Sequence, residues 1–186
     1  PNRKYSLPPE QAMALADDNS PVYIHGAYQA IRSYFKDEDK IVEMFKTGKG
    51  LRWGEHHHDL FEGSALFYKP NYVGNLVSSW IPSLDGVEEK LQQGAKVADI
   101  GCGYGISTIL MAKAYPNSKF YGFDNHRPSI EKAKDQIRKE EETGGGSISN
   151  VEFVSVNAND ESIGNDYDLI TFFDCLHDMG DPLGAM

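Results

Sequence analysis

Residues 96–111 read Lys-Val-Ala-Asp-Ile-Gly-Cys-Gly-Tyr-Gly-Ile-Ser-Thr-Ile-Leu-Met, and this stretch decides the fold. An apolar, β-compatible run covers 97–100, and apolar residues then recur at helical spacing until a proline ends the pattern. Gly101, Gly103 and Gly105 fall between the two patterns. Glycine permits positive φ and lets a ligand lie directly against backbone N–H groups at a helix N-terminus. The stretch therefore predicts a strand, a ligand-binding glycine turn and a helix.

The spacing of the glycines separates two classes of ligand. A dinucleotide-binding turn follows the pattern Gly-x-Gly-x-x-Gly. Here the third glycine comes one residue early, at Gly105, and Ile106 takes the expected place. Asp99 precedes the turn, and its carboxylate would repel a pyrophosphate but could orient the turn backbone or receive a cationic group. The pattern disfavours a nicotinamide dinucleotide, and a glycine-rich turn without a ligand stays an alternative.

Strand and helix patterns alternate through the second half of the chain. Further strand patterns cover residues 119–123, 151–156 and 167–173, and a helical pattern covers 128–142. This alternation predicts an α/β fold with a doubly wound parallel sheet, whose ligand lies at the carboxyl ends of the strands. The chain stops at Met186, before six or seven strands have appeared, so we expect an incomplete sheet.

Polar residues follow three of these strands and are expected to form one rim of the sheet. They are Asp124-Asn125, Asn157-Ala158-Asn159 and Asp174. Asp124 comes about 20 residues after the glycine turn, where an acidic residue accepts hydrogen bonds from both ribose hydroxyls of a nucleotide. Capping of the helix that begins near Pro128 is the alternative role.

The motif Asp-x-Gly-x-Gly-x-Gly at residues 99–105 resembles the first motif of class I S-adenosylmethionine-dependent methyltransferases. The resemblance implies a Rossmann-like sheet and S-adenosylmethionine as the cofactor, with adenine near Asn157 and Ala158, where many relatives carry Asp-Ala. The asparagine oxygen could still accept from the adenine amino group. The cofactor-binding residues predicted in this way are Asp99, Gly101, Cys102, Gly103, Gly105, Asp124, Asn125, Asn157, Ala158, Phe173 and Asp174.

A second resemblance concerns the catalytic residues. Residues 176–181, Leu-His-Asp-Met-Gly-Asp, resemble the Leu-His-Asp-Trp-x-Asp segment of small-molecule O-methyltransferases, in which the histidine is the general base. A hydroxyl group must lose its proton as it attacks the methyl group, and a histidine can accept that proton near neutral pH. The resemblance implies that His177 is the base and that Asp178 orients it. A cap or loop role for His177 is the alternative.

The first half of the chain is predicted to be mainly helical. Helices are expected at residues 9–16, at 20–35 with Ser20 as N-cap, at 37–48, at 59–68 and at 72–80, with Pro70 and Pro82 as boundaries, and a short strand at Arg3–Leu7. Residues 5–9, 67–72 and 80–86 look like bacterial methyltransferases with an N-terminal winged-helix region. The resemblance implies two domains: 1–83, a remnant of the winged helix with substrate-covering and homodimerisation helices, and 84–186, the truncated S-adenosylmethionine-binding domain.

Composition limits the partners and the location. The 186 residues carry a formal net charge of −10, which argues against a nucleic-acid surface. Cys102 and Cys175 do not suggest a disulfide framework, and the chain shows neither a membrane span nor a signal-peptide pattern, so we expect a cytoplasmic location. Adjacent histidines rarely converge on one ion, so His56–His58 are predicted to bind no metal.

Together these patterns predict an enzyme of class EC 2.1.1.- that transfers a methyl group from S-adenosylmethionine to a small molecule, at a hydroxyl oxygen. Two alternatives are kept. One is an NAD-dependent oxidoreductase, and the other is a non-catalytic cofactor-sensing regulator whose winged-helix region binds DNA or a partner protein. The residues do not distinguish O-, N- and C-methylation.

Overall fold

The computed structural model of the chain describes residues 4–18, 20–144 and 146–186. Arg3, the first residue of the predicted N-terminal strand, lies outside the described residues. The described residues form two compact units. The first contains the residues up to Leu51 together with His56–Gly74, and the second contains Arg52–Glu55 together with Asn75–Met186. The predicted domain boundary between residues 83 and 84 stays a prediction.

The first unit is helical, as expected. Its helices are α1 at Pro9–Leu15, α2 at His25–Lys36, α3 at Glu38–Thr47 and α4 at His58–Asn71. Glycines allow α2 and α4 to approach each other closely. A Cβ atom on Gly26 would overlap backbone atoms of Phe67 and Gly63, and one on Gly63 would overlap the backbone of Ala30.

Two predictions for the N-terminal region are wrong. Lys4 to Pro8 have no regular secondary structure, and Tyr5 is 89% exposed, so the alternating pattern there does not form a strand. The second helix begins at His25 rather than at Ser20. The Ser20 hydroxyl accepts a hydrogen bond from the N–H of Val22 at 3.3 Å, which closes a local turn ahead of the helix.

The predicted helix boundary at Pro70 is also wrong. Pro70 lies inside α4, and the chain continues directly into a π-helix at Tyr72–Trp80. Proline removes one backbone donor and crowds the carbonyl four residues earlier. The chain nevertheless stays helical past Pro70, and its hydrogen bonding changes to the wider π pattern from Tyr72 onwards. Pro82 does mark a boundary, because a short 3₁₀ helix at Ile81–Ser83 follows.

The second unit is built on a parallel sheet. Its strands are β1 at Lys96–Ile100, β2 at Lys119–Asp124, β3 at Val151–Ser155 and β4 at Leu169–Phe172, in the order β3-β2-β1-β4. The register pairs Ile100 with Phe123 of β2 and with Phe172 of β4. Since all the strands are parallel, their carboxyl ends share one edge of the sheet. The predicted α/β fold is confirmed.

Helices accompany these strands along the chain. They are α5 at Val87–Gln93, α6 at Ile106–Ala114, α7 at Arg127–Glu142 and α8 at Pro182–Ala185. Two of them, α6 and α7, connect successive strands and pack on the sheet. Val97, Met111, Phe120 and Ile130 are fully buried between the sheet and its helices. Among the described residues, none of the helices combines the length and the apolar character that a membrane crossing needs.

Candidate active site

The glycine turn joins β1 to α6 and is tied to the neighbouring strand. Gly101, Gly103 and Gly105 have φ values of 70°, 54° and 74°, a region that favours glycine. The N–H groups of Gly101 and Cys102 both donate to the carbonyl of Phe123, at 2.7 and 3.0 Å. Apart from Gly103 and its two chain neighbours, no described atom lies within 4 Å of the position that a Cβ on Gly103 would take. The turn is therefore open to a ligand at Gly103.

Asp99 is a buried carboxylate that holds the framework around the turn. It is 1% exposed, and its Oδ2 accepts hydrogen bonds from the hydroxyls of Ser107 at 2.7 Å and Thr108 at 2.6 Å. Its Oδ1 accepts from the hydroxyl of Thr171 at 2.9 Å. Burial raises the pKa of Asp99, and the three hydroxyl donors oppose that rise. Because these donors lie on α6 and β4, the geometry supports an orienting role for Asp99.

Asp124 ends β2 and reaches the glycine turn directly. Its Oδ2 accepts a hydrogen bond from the N–H of Gly103 at 2.9 Å, and its Oδ1 accepts from the N–H of His126 at 2.8 Å. Burial raises the pKa of Asp124, while the two backbone donors lower it. A carboxylate offers about four lone-pair positions, so two acceptor positions remain. Hydroxyl groups, such as those of a ribose, are suitable donors for these positions.

The parallel register brings the predicted adenine-binding residues to the same edge. Asp124 pairs with Ser155 of β3, and the N–H of Val156 donates to the Asp124 carbonyl at 3.0 Å. Asn157 follows directly and is exposed, while Ala158 packs partly against the core of the sheet. The exposed amide of Asn157 is therefore free to face a ligand at this rim, and Asn125 is exposed there as well.

The end of β4 completes the rim. Phe173 packs its ring against the indole of Trp80 at a centroid distance of 6.2 Å. Asp174 has a left-handed backbone with φ of 51°, which is uncommon outside glycine. Such backbone strain clusters at ligand-binding and catalytic sites.

His177 lies beyond this bend, in a short 3₁₀ turn at Leu176–Asp178. Its side chain is 62% exposed and stands between two carboxylates. Its Nδ1 is 3.6 Å from Asp174 Oδ1, and its Nε2 is 3.4 Å from Asp178 Oδ1.

A family profile described as a methyltransferase domain matches residues 91–186, which contain the whole sheet and the glycine turn. The chain belongs to this methyltransferase domain family. The cofactor of the methyltransferase domain is S-adenosylmethionine. The open turn at Gly103 and the remaining acceptor positions of Asp124 fit that molecule, which carries a ribose and a charged methionine part.

Individual relatives cover different parts of the chain. An O-methyltransferase family protein from Burkholderia thailandensis matches 90% of the chain with a TM-score of 0.61 and 17% identity, over 49% of its own chain. PKMT2 from Rickettsia typhi, solved in complex with AdoHcy, is 36% identical over 43% of the chain and 14% of its own, with a TM-score of 0.36. Ribosomal RNA large subunit methyltransferase G from Alcanivorax borkumensis is 38% identical over 56 residues, which are 30% of the chain and 14% of that protein.

The chain therefore spans half or less of the length of these relatives. The likeness to the Burkholderia structure supports the Rossmann-like fold of this chain. The winged-helix region stays a prediction.

The two cysteines of the methyltransferase domain are structural. Both are free, and burial raises the pKa of Cys175 to about 12 and that of Cys102 well above its ordinary value. The Cys175 thiol donates to the carbonyl of Ile100 at 3.1 Å, and it lies where a Cβ on Gly101 would stand. Protonated thiols are poor nucleophiles, so these cysteines shape the turn instead of reacting.

Sequence reasoning missed His126 as a neighbour of the turn. Its backbone N–H holds Asp124, and its Nδ1 lies 2.8 Å from the hydroxyl of Ser129. Burial lowers the pKa of His126, although Asp124 opposes this. The sequence signal for His126 was its position two residues after Asp124, the carboxylate at the end of β2. The 3₁₀ turn at Trp53–Glu55 also approaches it, since a Cβ on Gly54 would lie 3.5 Å from the His126 ring.

The histidines of the first unit converge more than their sequence predicts. His57 caps α4 with an extended backbone while His58 is helical, so the regular fanning of adjacent side chains is broken and the two rings lie 4.0 Å apart. Together with Asp59 they place possible ligand atoms within 4.8 Å of one another. His57, His58 and Asp59 therefore have a spacing that could hold one metal ion.

Charge balance supports an ion-pair cluster instead of a metal site. The buried Asp59 Oδ2 already has Arg32 Nη1 and Lys36 Nζ at 3.4 Å. A divalent cation at Asp59 would lie close to both of these positive charges, which Coulomb repulsion disfavours. The expectation of no metal at His56–His58 stays a prediction with this support.

Proposed function

We propose that the protein transfers a methyl group from S-adenosylmethionine to a hydroxyl oxygen of a small molecule. The observation that carries the proposal is the placement of His177, flanked by Asp174 and Asp178, after the strand that runs beside the glycine turn. In this proposal His177, the proton acceptor, and the glycine turn, which binds the cofactor, lie at the same edge of the sheet. The assignment of every cofactor-binding and catalytic residue is part of this proposal.

The residues of the turn bind and orient. Asp124 accepts from the ribose hydroxyls, Asn157 and Ala158 border the adenine, and Gly103 allows the methionine part to approach the backbone. Asn125, Phe173 and Asp174 line the rest of the rim. Bound S-adenosylmethionine supplies an electrophilic methyl group on a sulfonium. Holding an acceptor oxygen about 3–3.5 Å from that carbon, in line with the bond that breaks, supplies much of the rate.

His177 accepts the proton of the attacking hydroxyl. As the new carbon–oxygen bond forms and the sulfur–carbon bond breaks, the proton moves to a ring nitrogen of His177. Asp178, and Asp174 on the other side, stabilise the resulting imidazolium by their negative charge. The products are the methyl ether and S-adenosylhomocysteine.

The acidic balance of the chain supports a small-molecule acceptor. A net charge of −10 opposes the phosphate backbone of an RNA, and the similarity to the ribosomal RNA enzyme covers 14% of that protein. We include a cytoplasmic location and a homodimer in the proposal. Two free thiols in the methyltransferase domain agree with a reducing compartment.

Calorimetric titration of the protein with S-adenosylhomocysteine, with NAD in parallel, tests the first step of the proposal. We expect micromolar binding of S-adenosylhomocysteine and no binding of NAD. Tight NAD binding would instead support the oxidoreductase alternative and overturn the proposal.

A screen of hydroxylated aromatic acceptors, with methyl transfer measured by mass spectrometry, then identifies the substrate. In that assay His177→Asn should bind S-adenosylhomocysteine normally and lose about 10²–10⁴-fold in turnover, the usual contribution of a general base. Full turnover by this variant would remove His177 from the mechanism. If the wild-type protein binds S-adenosylhomocysteine normally but methylates none of the acceptors, the result would favour the regulator alternative.

A further inference from the structure

The peptide bond between Tyr104 and Gly105 is held from both sides. The N–H of Gly105 donates to the carbonyl of Cys102 at 2.8 Å, inside the turn. The carbonyl of Tyr104 accepts from the side-chain amide of Gln136 at 2.8 Å. Because Gly103 and Gly105 lie on either side and permit many backbone angles, this peptide could rotate unless something fixes it. Gln136 is the side chain that fixes it.

Gln136 comes from a helix that covers the turn at two points. It lies three residues after Ala133 on α7, so both face the same side of that helix. Ala133 is fully buried, and its Cβ would be 2.9 Å from a Cβ placed on Gly105, where the ring of Phe153 also packs. There is no space for a side chain at Gly105, and the Gln136 amide donates a hydrogen bond to the carbonyl of the preceding residue, Tyr104. The same face of α7 therefore fixes two consecutive residues of the turn.

Each residue of the turn thus has its own anchor. Gly103 is held through its N–H by Asp124, Tyr104 through its carbonyl by Gln136, and Gly105 by close packing. The chemistry also fixes the orientation of the glutamine amide, since a carbonyl can only accept and the NH₂ group must face it.

We propose that Gln136 is a positioning residue that holds the glycine turn in its cofactor-binding conformation. The proposal rests on the proposed function, in which this turn binds S-adenosylmethionine. Gln136 acts through the Tyr104 carbonyl and needs no contact with the cofactor. Without it, the turn samples other peptide orientations, and cofactor binding has to select the competent one, which lowers the apparent affinity.

Two substitutions separate the hydrogen bond from packing. Gln136→Met keeps the length and volume of the side chain and removes the donor. Gln136→Glu keeps the shape, but its carboxylate is an acceptor that repels the Tyr104 carbonyl, whereas its protonated form can donate. Affinity should therefore depend on pH in the glutamate variant alone. Gln93→Glu, an exposed position on α5, is the control for the change of charge.

Calorimetric titration with S-adenosylhomocysteine between pH 8 and pH 5 measures the effect, with each Kd divided by that of the wild type at the same pH. The ratio cancels every effect of pH that a variant shares with the wild type, including effects on the ligand. We expect Gln136→Met to bind about 3- to 10-fold more weakly at every pH, the size of one net hydrogen bond. Gln136→Glu should bind at least as weakly at pH 8 and recover as the pH falls towards 5, and Gln93→Glu should match the wild type.

Wild-type affinity in both Gln136 variants at every pH would overturn the positioning role while leaving the proposed function intact. A loss in Gln136→Glu that does not recover at low pH would also overturn it, because packing would then explain the effect. No binding of S-adenosylhomocysteine by the wild type would instead overturn the proposed function. The thermal midpoint of each variant without ligand shows whether it folds.

Discussion

Asp99 and Asp124 lie at the carboxyl ends of neighbouring strands, one residue before the last in β1 and last in β2, yet they accept hydrogen bonds from different kinds of donor. Asp99 accepts hydrogen bonds from side-chain hydroxyls of α6 and β4, so it connects elements of the framework. Asp124 takes backbone N–H groups, one of them from the glycine turn itself. Burial raises the pKa of both. Loss of Asp99 should therefore act mainly on folding, and loss of Asp124 mainly on the cofactor.

Asp124→Ala should weaken binding of S-adenosylhomocysteine by about 10- to 100-fold. The variant loses charge-assisted hydrogen bonds that are each worth about 1.5–3 kcal/mol, and it frees the N–H of Gly103. Calorimetric titration measures the change. Glu131→Gln, an exposed carboxylate on α7, is the control and should bind like the wild type. Unchanged affinity in Asp124→Ala would show that the carboxylate is only part of a cap.

Asp37 is a residue at which stability should depend on pH. It is buried in the first unit and accepts hydrogen bonds from Lys40 at 2.8 Å and from the N–H of His57 at 2.7 Å, with His56 Nδ1 at 3.1 Å. Burial alone would raise the pKa of Asp37, but these partners outweigh it and lower the pKa from 3.8 to about 2. The stabilisation is therefore complete above pH 3.8 and is lost as the pH falls through about 2.

Asp37→Asn should lower the free energy of unfolding by about 2 kcal/mol at pH 7 and by about half of that at pH 3, because the pKa shift is then only partly expressed. Urea unfolding at a series of pH values gives both numbers. Asp39→Asn, exposed on α3, should change little at either pH. A difference that stays constant with pH would mean that Asp37 acts through shape alone.

At the scale of elements, the contact between α2 and α4 depends on two glycines in helices. Gly26 and Gly63 each lie against the backbone of the opposite helix, with no space for a methyl group. Glycine is a poor helix former, so its presence there has a packing reason. Gly63→Ala should lower the free energy of unfolding by about 1–3 kcal/mol, the usual effect of overpacking, despite the better helix propensity of alanine.

Urea unfolding of Gly63→Ala compared with Gly74→Ala separates packing from propensity. A Cβ on Gly74 meets no atom within 4 Å, so that variant should be neutral or slightly more stable. Equal effects of the two substitutions would contradict the close contact of α2 with α4.

The sequence predicts the α/β elements well for a physical reason. Buried parallel strands are continuous apolar runs, and the bounds of β1 to β4 differ from the predicted ones by two residues or fewer. Ser20-Pro21 failed as a helix start because a serine followed by a proline is equally typical of a local turn. Pro70 failed as a helix boundary because the chain stays helical past it, first to the end of α4 and then in a π-helix.

The residues that sequence reasoning missed all act across space. Gln136 reaches a carbonyl 32 residues earlier in the chain. Gly26 and Gly63 each depend on the opposite helix, and the His126 ring lies 3.5 Å from the position that a Cβ on Gly54 would take. Local sequence patterns do not predict such long-range contacts. They do predict the glycine turn and Asp124, because both belong to a recognisable local motif.

At the scale of the whole molecule, the helices α2 and α3 leave apolar side chains exposed. They form a groove of about 420 Å³, the α2–α3 groove, lined by Ile31, Tyr34, Phe35, Glu38, Ile41 and Val42. Phe45, on α3, is 87% exposed. Both helices also carry charges of both signs. In a symmetric homodimer, two copies of such an apolar surface would cover each other across a two-fold axis.

We therefore expect the protein to sediment at about 100 µM with twice the 20.7 kDa mass of one chain. Phe35→Glu should weaken the dimer at least 10-fold, because it would bury an unpaired charge in the interface. Sedimentation equilibrium over a dilution series measures both. Tyr5→Glu alters another exposed aromatic outside the α2–α3 groove, and it should leave the association unchanged. Binding of S-adenosylhomocysteine by Phe35→Glu should match the wild type, because the groove and the glycine turn belong to different compact units. A single-chain mass for the wild type at the highest concentration would refute the homodimer.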